Sequence, residues 1–288
     1  MEHTIGTKVR HIILNYHLFK NGGKLMEAVL DKNFADRLVH LRGDSHDATL
    51  TNNDLLSFLR NHRQADAVSS YHFRPPRPEA DDFVFFDILF VRHPLDRIRV
   101  IFDSYQRASN SYDPLVDIAR QQDLAGFSER LMADFPHMVN NVQVNYLANG
   151  GRYFRPPSNS DLRNAIGVME RAAVPGVTHL LAAALSAAEY YLKPAFGDLD
   201  LSYVARDPCP SPESWRSRLE RFREVFGDAT YEKLVEMNKL DLELLEFSQE
   251  EVGRRFRLIP NHEARLRHFV ERCQASTEFF LEHDDVDA

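Results

Sequence analysis

Two hydrophobic periods alternate along the front of the chain. The run His11-Ile-Ile-Leu-Asn-Tyr-His-Leu18 is short and mostly apolar, and Gly22-Gly23 close it, which predicts a buried strand ending in a tight turn. From Lys24 the period lengthens: Leu25, Val29, Ala35 and Leu38 fall near helical spacing and predict a helix. Thr51 is placed to cap a second helix carrying Leu55, Leu56 and Leu59. Asp66 to Phe73 reads as another short strand, stopped by Pro75 and Pro76. The strongest strand signal is Val84-Phe-Phe-Asp-Ile-Leu-Phe-Val91, nearly all apolar, as a strand covered on both faces should be. Arg92-His93-Pro94 ends it. Leu95 to Arg107 then reads as a helix with Pro94 at its first turn and Asp96 near its positive end.

Helical spacing dominates the remainder of the chain. Asp113 to Phe135, Asp161 to Arg171, Thr178 to Phe196, Ser214 to Phe226 and Asp228 to Phe256 read as helices. Ala172 to Gly176 reads as a short strand and turn, and Arg206 to Pro212, with three prolines, as a loop. Strand–helix alternation in front and helices behind predict a three-layer α/β domain with a central parallel sheet and a helix-rich C-terminal half. Residues 1–260 are assigned to that domain and residues 261–288 to a C-terminal helix with an acidic tail.

Composition narrows the function. The chain has 288 residues, ample for a sizeable core, and a net charge of -8, which argues against a nucleic-acid binder. Six acids against one arginine lie after Val270, so the rest of the chain is closer to balance and leaves room for a locally basic cleft. Cys209 and Cys273 are too few for a disulfide scaffold or a Cys-rich zinc module. The apolar run Ile12-Ile13-Leu14 is too short for a signal segment or a membrane span, so a cytoplasmic protein with reduced thiols is expected.

The chemistry begins at Phe19-Lys20-Asn21-Gly22-Gly23-Lys24-Leu25, between the first strand and the first helix. Glycines let the backbone turn tightly and approach a ligand, and free amides at a helix start face an anion. A plain strand–turn–helix joint with two surface lysines fits the same spacing. A nucleotide kinase would need a P-loop, with glycine at the place of Leu18 and a hydroxyl at the place of Leu25.

The turn resembles instead the Lys-Thr-Gly-Gly type of turn of sulfotransferases that use 3'-phosphoadenylyl sulfate (PAPS), with Lys20 at the family lysine's place and Lys24 where a Thr or Ser is usual. The segment Arg92-His93-Pro94-Leu95-Asp96-Arg97, after a buried strand, is similar to the family's second signature, Arg-x-Pro-x-x-Arg. Weaker echoes at Asn140 to Ala148, Val174 to Thr178 and Asn238 to Phe247 resemble the carbohydrate-type branch, which includes the Golgi and heparan sulfate 2-O enzymes. Asn145 replaces that branch's arginine, and His179-Leu180 replace its Glu-Arg.

The resemblance implies a P-loop-like fold, PAPS as donor, and 3'-phosphoadenosine 5'-phosphate (PAP) as product. It places Lys20, Asn21, Gly22, Gly23, Lys24 and Leu25 at the 5'-phosphosulfate and Arg92 at the 3'-phosphate. The family's serine, eight positions after the arginine, is Val100 here, and Ser104 one helical turn on is the substitute. Arg97, Arg99 and Arg107 read as a solvated helix face. Gln143 and Arg206 are further contacts to the nucleotide in this reading.

His72 stands where the branch carries its base histidine, so Lys20 and His72 are the expected catalytic pair, with His17 and His93 as rivals for the base. No metal is required. The acceptor is a hydroxyl on a sugar, a lipid or a small natural product. No extended basic stripe suits a long polyanionic glycan. A kinase, or a relative that kept the fold without turnover, are the alternatives; oligomeric state is not readable.

Overall fold

The computed structural model describes residues 9–45, 48–109, 112–204 and 212–284. Five strands, β1 (Arg10–Tyr16), β2 (Leu38–His40), β3 (Ala67–Ser70), β4 (Phe83–Val91) and β5 (Val174–Val177), form one sheet in the order β2-β3-β1-β4-β5. Every pairing is parallel. Parallel neighbours need crossovers, and helices supply most of them: α1 (Gly23–Phe34) leads from β1 to β2, and α2 (Asn52–Asn61) from β2 to β3. Between β4 and β5 run α3 (Pro94–Gln106), α4 (Pro114–Gln121), α5 (Leu124–Asp134), α6 (Val142–Asn149) and α7 (Asn159–Arg171). After β5 come α8 (Leu181–Phe196), α9 (Pro212–Phe226), α10 (Asp228–Met237), α11 (Lys239–Arg257) and α12 (His262–Asp284).

Apolar side chains on both faces of β1 and β4 explain the layering. Ile12, Leu14, Leu89 and Val91 join a core that includes Leu55, Val144, Leu162 and Leu244 from α2, α6, α7 and α11. Ile13, Ile88 and Phe90 face the other way, onto Met26 and Leu30 of α1, Leu185 of α8 and Phe269 of α12. A third core, with Ile98, Phe127 and Phe226 at its centre, binds α3, α4 and α5 to α9 and α10. The fold is therefore the expected α/β sandwich of layers with a helix-rich C-terminal half.

Several boundaries differ from the periodicity. The first helix stops at Phe34 because Ala35 takes a left-handed backbone (φ 46°), so Leu38 belongs to β2 and pairs with Ala67. The long stretch from Asp113 is two helices, because the Asp123 side chain accepts from the Gly126 amide and caps a new start. Asp228 to Phe256 likewise breaks at buried Asn238, whose amide turns back to the Leu234 carbonyl. Thr51 caps α2 as its place suggested, in a reciprocal box with Asp54. The proline loop from Arg206, and Arg206 itself, lie outside the described residues apart from Pro212, which opens α9.

The segment after residue 260 forms α12 and docks on the sheet layer: Phe269 and Cys273 are buried, and Arg272 bridges Glu189 at 2.6 Å and also Asp200. Among the described residues no helix is long and apolar enough to cross a membrane.

At the edge pairing of β4 with β5, Phe90 lies opposite Gly176, and a Cβ on that glycine would stand only 2.2 and 2.3 Å from Cε1 and Cδ1 of the Phe90 ring. Gly176→Ala should lower the unfolding free energy by about 1–3 kcal/mol, the usual cost of overpacking a core. Urea unfolding of the two proteins measures it; an unchanged midpoint would show that the ring yields freely.

Candidate functional site

In this strand order the chain leaves β1 toward β2 on one side, whereas β4 lies on β1's other side, so the crevice at which open α/β sheets take ligands is expected outside the carboxyl ends of β1 and β4. The glycine turn and Arg92 both stand there. The turn is closed by the Asn21 amide on the Leu18 carbonyl at 3.1 Å, and both Lys20 (φ 64°) and Gly22 (φ 90°) are left-handed. Gly22 suits that backbone without strain, whereas Lys20 adopts it against its Cβ. Helix α1 starts at Gly23 with no side-chain cap and no acid in its first turn. Its leading amides, from Gly23, Lys24 and Leu25, therefore have no side chain of the cap to satisfy them and meet the crevice.

Lys20 is half-buried. Its Nζ donates to Ser104 Oγ at 2.6 Å and lies 5.0 Å from the centre of the Phe19 ring. Its pKa is lowered by burial first, then by the charges of Lys24, Arg107 and Arg92. The structure thus brings Lys20, Ser104 and Arg92 into one neighbourhood. Ser104, chosen as a helper of Arg92, makes its hydrogen bond to Lys20. Lys24 is exposed, and the Leu25 side chain packs toward the α1–α8 core, so only its backbone can serve the site.

Arg92 ends β4. Its NH1 donates to buried Asp96 at 3.1 Å, and its Nε has no partner although it is buried. Asp96 also accepts from Arg99 at 3.1 and 3.2 Å and has Arg218 of α9 at 3.7 Å. Three guanidinium groups thus share one carboxylate. Beside them Trp215 stacks flat on His179, with ring centres 4.4 Å apart, and His93 sits between Trp215 and Phe222.

The expectation of a solvated arginine face on α3 fails for Arg97. It is buried and donates to the carbonyls of Phe19 at 3.1 Å and Met138 at 3.0 Å, fastening the turn to α3. Burial lowers its pKa to about 10, partly offset by Asp241. Gln143 is also buried and faces the protein, not the crevice: its side-chain amide bonds the backbone of Arg92 and the side chains of Asn21 and Asp241. The resemblance offered it as a contact to the nucleotide; four protein groups on Asn21, Arg92 and Asp241 occupy its whole hydrogen-bonding capacity.

His72 follows β3, with Tyr71 before it. Its Nδ1 accepts from the Gly43 amide at 2.9 Å, so in the neutral ring Nε2 carries the proton. This ring takes a proton from an acceptor only after releasing Gly43. His17 is buried beneath the turn. Its Nε2 lies 2.6 Å from Ser69 Oγ and 2.9 Å from the Asn15 amide, Tyr71 covers one face at 4.0 Å, and Nδ1 has no partner. A Cβ on Gly23 would stand 2.6 Å from that Nδ1, which is why the first residue of α1 is glycine. Trp215, Arg218 and His179 were missed by sequence reasoning; the lone tryptophan of the chain was the available signal.

Burial is the main cause that lowers His17, His93 and His179 to about 4 from an ordinary 6.5. They are neutral in the fold where the unfolded chain would charge them. The unfolded state therefore binds more protons between those values, and stability falls as pH falls through the window. Asp241, whose burial raises its carboxyl, acts in the opposite sense toward acid pH. His17→Gln removes one such proton. The slope of unfolding free energy against pH, from urea titrations at about pH 5 to about pH 6.5, should flatten by up to about 1.4 kcal/mol per pH unit. An unaltered slope would mean that His17 titrates normally in the fold.

No family model matches the chain. It is similar to an uncharacterized protein of Archaeoglobus fulgidus, 26% identical over 247 residues that cover 82% of this chain and 95% of that protein.

Proposed function

We propose that the protein is a PAPS-dependent sulfotransferase acting on a hydroxyl acceptor. The observation that carries this reading is the situation of Lys20: the groups whose charges shift it, Lys24, Arg107 and Arg92, are all cations. A crevice that gathers positive charge at an uncapped helix start is suited to an anion, and the charge is relieved when one binds. A second anion position is supported by Arg92, whose buried Nε lacks a partner. Two separated anion positions match a nucleotide with phosphoryl groups at both its 3' and 5' ends. A guanidinium suits the first through paired hydrogen bonds, and lysines with backbone amides suit the second.

Bound there, the donor supplies an activated sulfuryl group. In this reading Lys20, Lys24 and the amides of Gly23 and Leu25 hold the 5' end, and Lys20 keeps its positive charge beside the leaving oxygen. Arg92 holds the 3' end. Ser104 keeps Lys20 in place through the 2.6 Å hydrogen bond. The buried His17, at about 4, is a weak proton acceptor near neutral pH. The base role is left to His72 through Nδ1, freed from Gly43. Exposed Phe19 and Tyr71 offer ring surface to an acceptor in this reading, which suits a sugar, lipid or small natural-product hydroxyl. We place the protein in the cytoplasm, a reducing compartment that suits the free thiol of Cys273.

Calorimetric titration with PAP, AMP and ATP tests the donor site. PAP should bind more tightly than AMP, and Arg92→Ala should erase most of the difference, a cost of about 1.5–3 kcal/mol for a charge-assisted pair. Lys24→Thr exchanges the charge for the hydroxyl usual at that place in the resembled family and should keep or improve the affinity; a loss of binding would make Lys24 an essential ligand. Equal binding of PAP and AMP by the wild type overturns the reading, and preference for ATP turns it toward a kinase.

The base is tested separately, by turnover with PAPS and a panel of hydroxyl acceptors. His72→Ala should reduce turnover by about 10²–10⁴-fold with PAP affinity nearly unchanged, whereas Lys20→Ala should weaken both. Unchanged turnover in His72→Ala removes that residue from the chemistry.

A further inference from the structure

The two anion-binding elements meet at one buried side chain. Oε1 of Gln143 accepts from the Asn21 amide at 2.6 Å and from the Arg92 backbone N–H at 2.8 Å, while Nε2 donates to the Arg92 carbonyl at 2.7 Å. A carboxamide offers a donor and an acceptor in one plane, as a peptide group does. Gln143 therefore pairs with both main-chain groups of Arg92 much as a neighbouring strand would, just beyond the last strand residue, Val91. On its other side it holds Asn21, the residue between Lys20 and Gly22.

Gln143 is itself held from the C-terminal half. Asp241 of α11 accepts from the backbone amides of Gln143 at 3.1 Å and Val144 at 2.8 Å, and its second contact to Nε2 is 3.3 Å. Asn141, in a left-handed backbone just before α6, accepts from the Asp241 amide at 3.0 Å. All of these groups are buried. Other ties hold the turn to its surroundings: Asn21 also donates to Phe90 O at 3.0 Å, and Arg97 to Phe19 O. Gln143 differs from them in touching both the turn and Arg92 itself.

We infer that Gln143 is a positioning residue that sets the separation between the glycine turn and Arg92. It thereby gives the site its preference for a nucleotide carrying two separated phosphoryl groups over one carrying a single group. Asp241 aims it. The inference rests on the reading of the site as a PAP-binding crevice. Two linked contacts reinforce each other only when their spacing matches the ligand, so a change in spacing removes the reinforcement and leaves each contact by itself intact.

Gln143→Met keeps the length of the side chain and removes the amide. Affinities for PAP, AMP and adenosine 3'-monophosphate are measured by calorimetry for the wild type, this variant and Phe269→Leu, a core substitution on α12. The expected result for Gln143→Met is a loss of PAP affinity of about tenfold or more, with either monophosphate changed by less than about threefold. Phe269→Leu should lower the melting temperature and leave the ratio of affinities alone, as any merely destabilising change would. Should Gln143→Met fail to fold, Gln143→Leu is the second variant: it too lacks both the donor and the acceptor, and should lose the ratio in the same way. A ratio that survives in a folded Gln143 variant, or a fall shared equally by all three ligands, overturns the inference and leaves the functional reading standing. A wild type without preference for PAP overturns both.

Discussion

Like charges gathered in one crevice are the constraint that the rest of the site answers to. Lys24, Arg107 and Arg92 raise the energy of charged Lys20, Arg99 and Arg218 do the same to Arg92, and burial adds to it at both. The fold does not neutralise them pair by pair. It sets one buried carboxylate, Asp96, among three guanidinium groups, and it gives Lys20 a hydroxyl where an acid would have quenched its charge. An acid in the first turn of α1 would be the ordinary way to complement the helix dipole, and none is present. The residual positive charge is retained by many small arrangements, in keeping with the anion site proposed above.

Buried polar groups give this region its rigidity. Arg97 reaches from α3 to the turn and to the Met138 carbonyl, and Asp241 reaches from α11 to the start of α6. Groups of this kind cost free energy when dehydrated, and that cost is offset only when every donor and acceptor is matched. The cores on both sheet faces could exist without them. Their geometry is specific where apolar contact is permissive, so they fix positions at the sheet's carboxyl edge that Leu and Ile contacts would leave loose.

The sequence was most readable where one force dominated. The apolar run of β4 had to be a covered strand, and Thr51 had to start a helix, since both signals are local. Leu38 deceived because helical spacing and membership of a short edge strand coincide over so few residues; the left-handed backbone at Ala35 decided between them. The turn and Arg92 could be seen as a pair, because each lies at a strand end where its type has an evident use. Arg97 and Gln143 could not be placed. A buried arginine and a surface one have the same spacing, and what distinguishes them is a carbonyl offered by Met138; for Gln143 it is a carboxylate offered by Asp241, and both partners lie far off along the chain. Trp215 and Arg218 lay outside every motif and reach the site only because α9 folds back on α3.

Trp215 is the single tryptophan of the chain, and it lies face to face with His179 near Arg92. An imidazole is a weak quencher of indole emission when neutral and a strong one when charged. The fluorescence of the native protein is therefore tied to the protonation of His179, and of His93 at the indole's edge, and to the polarity of the space around Arg92. The molecule carries an optical probe of its own at that position, with no other indole to obscure it.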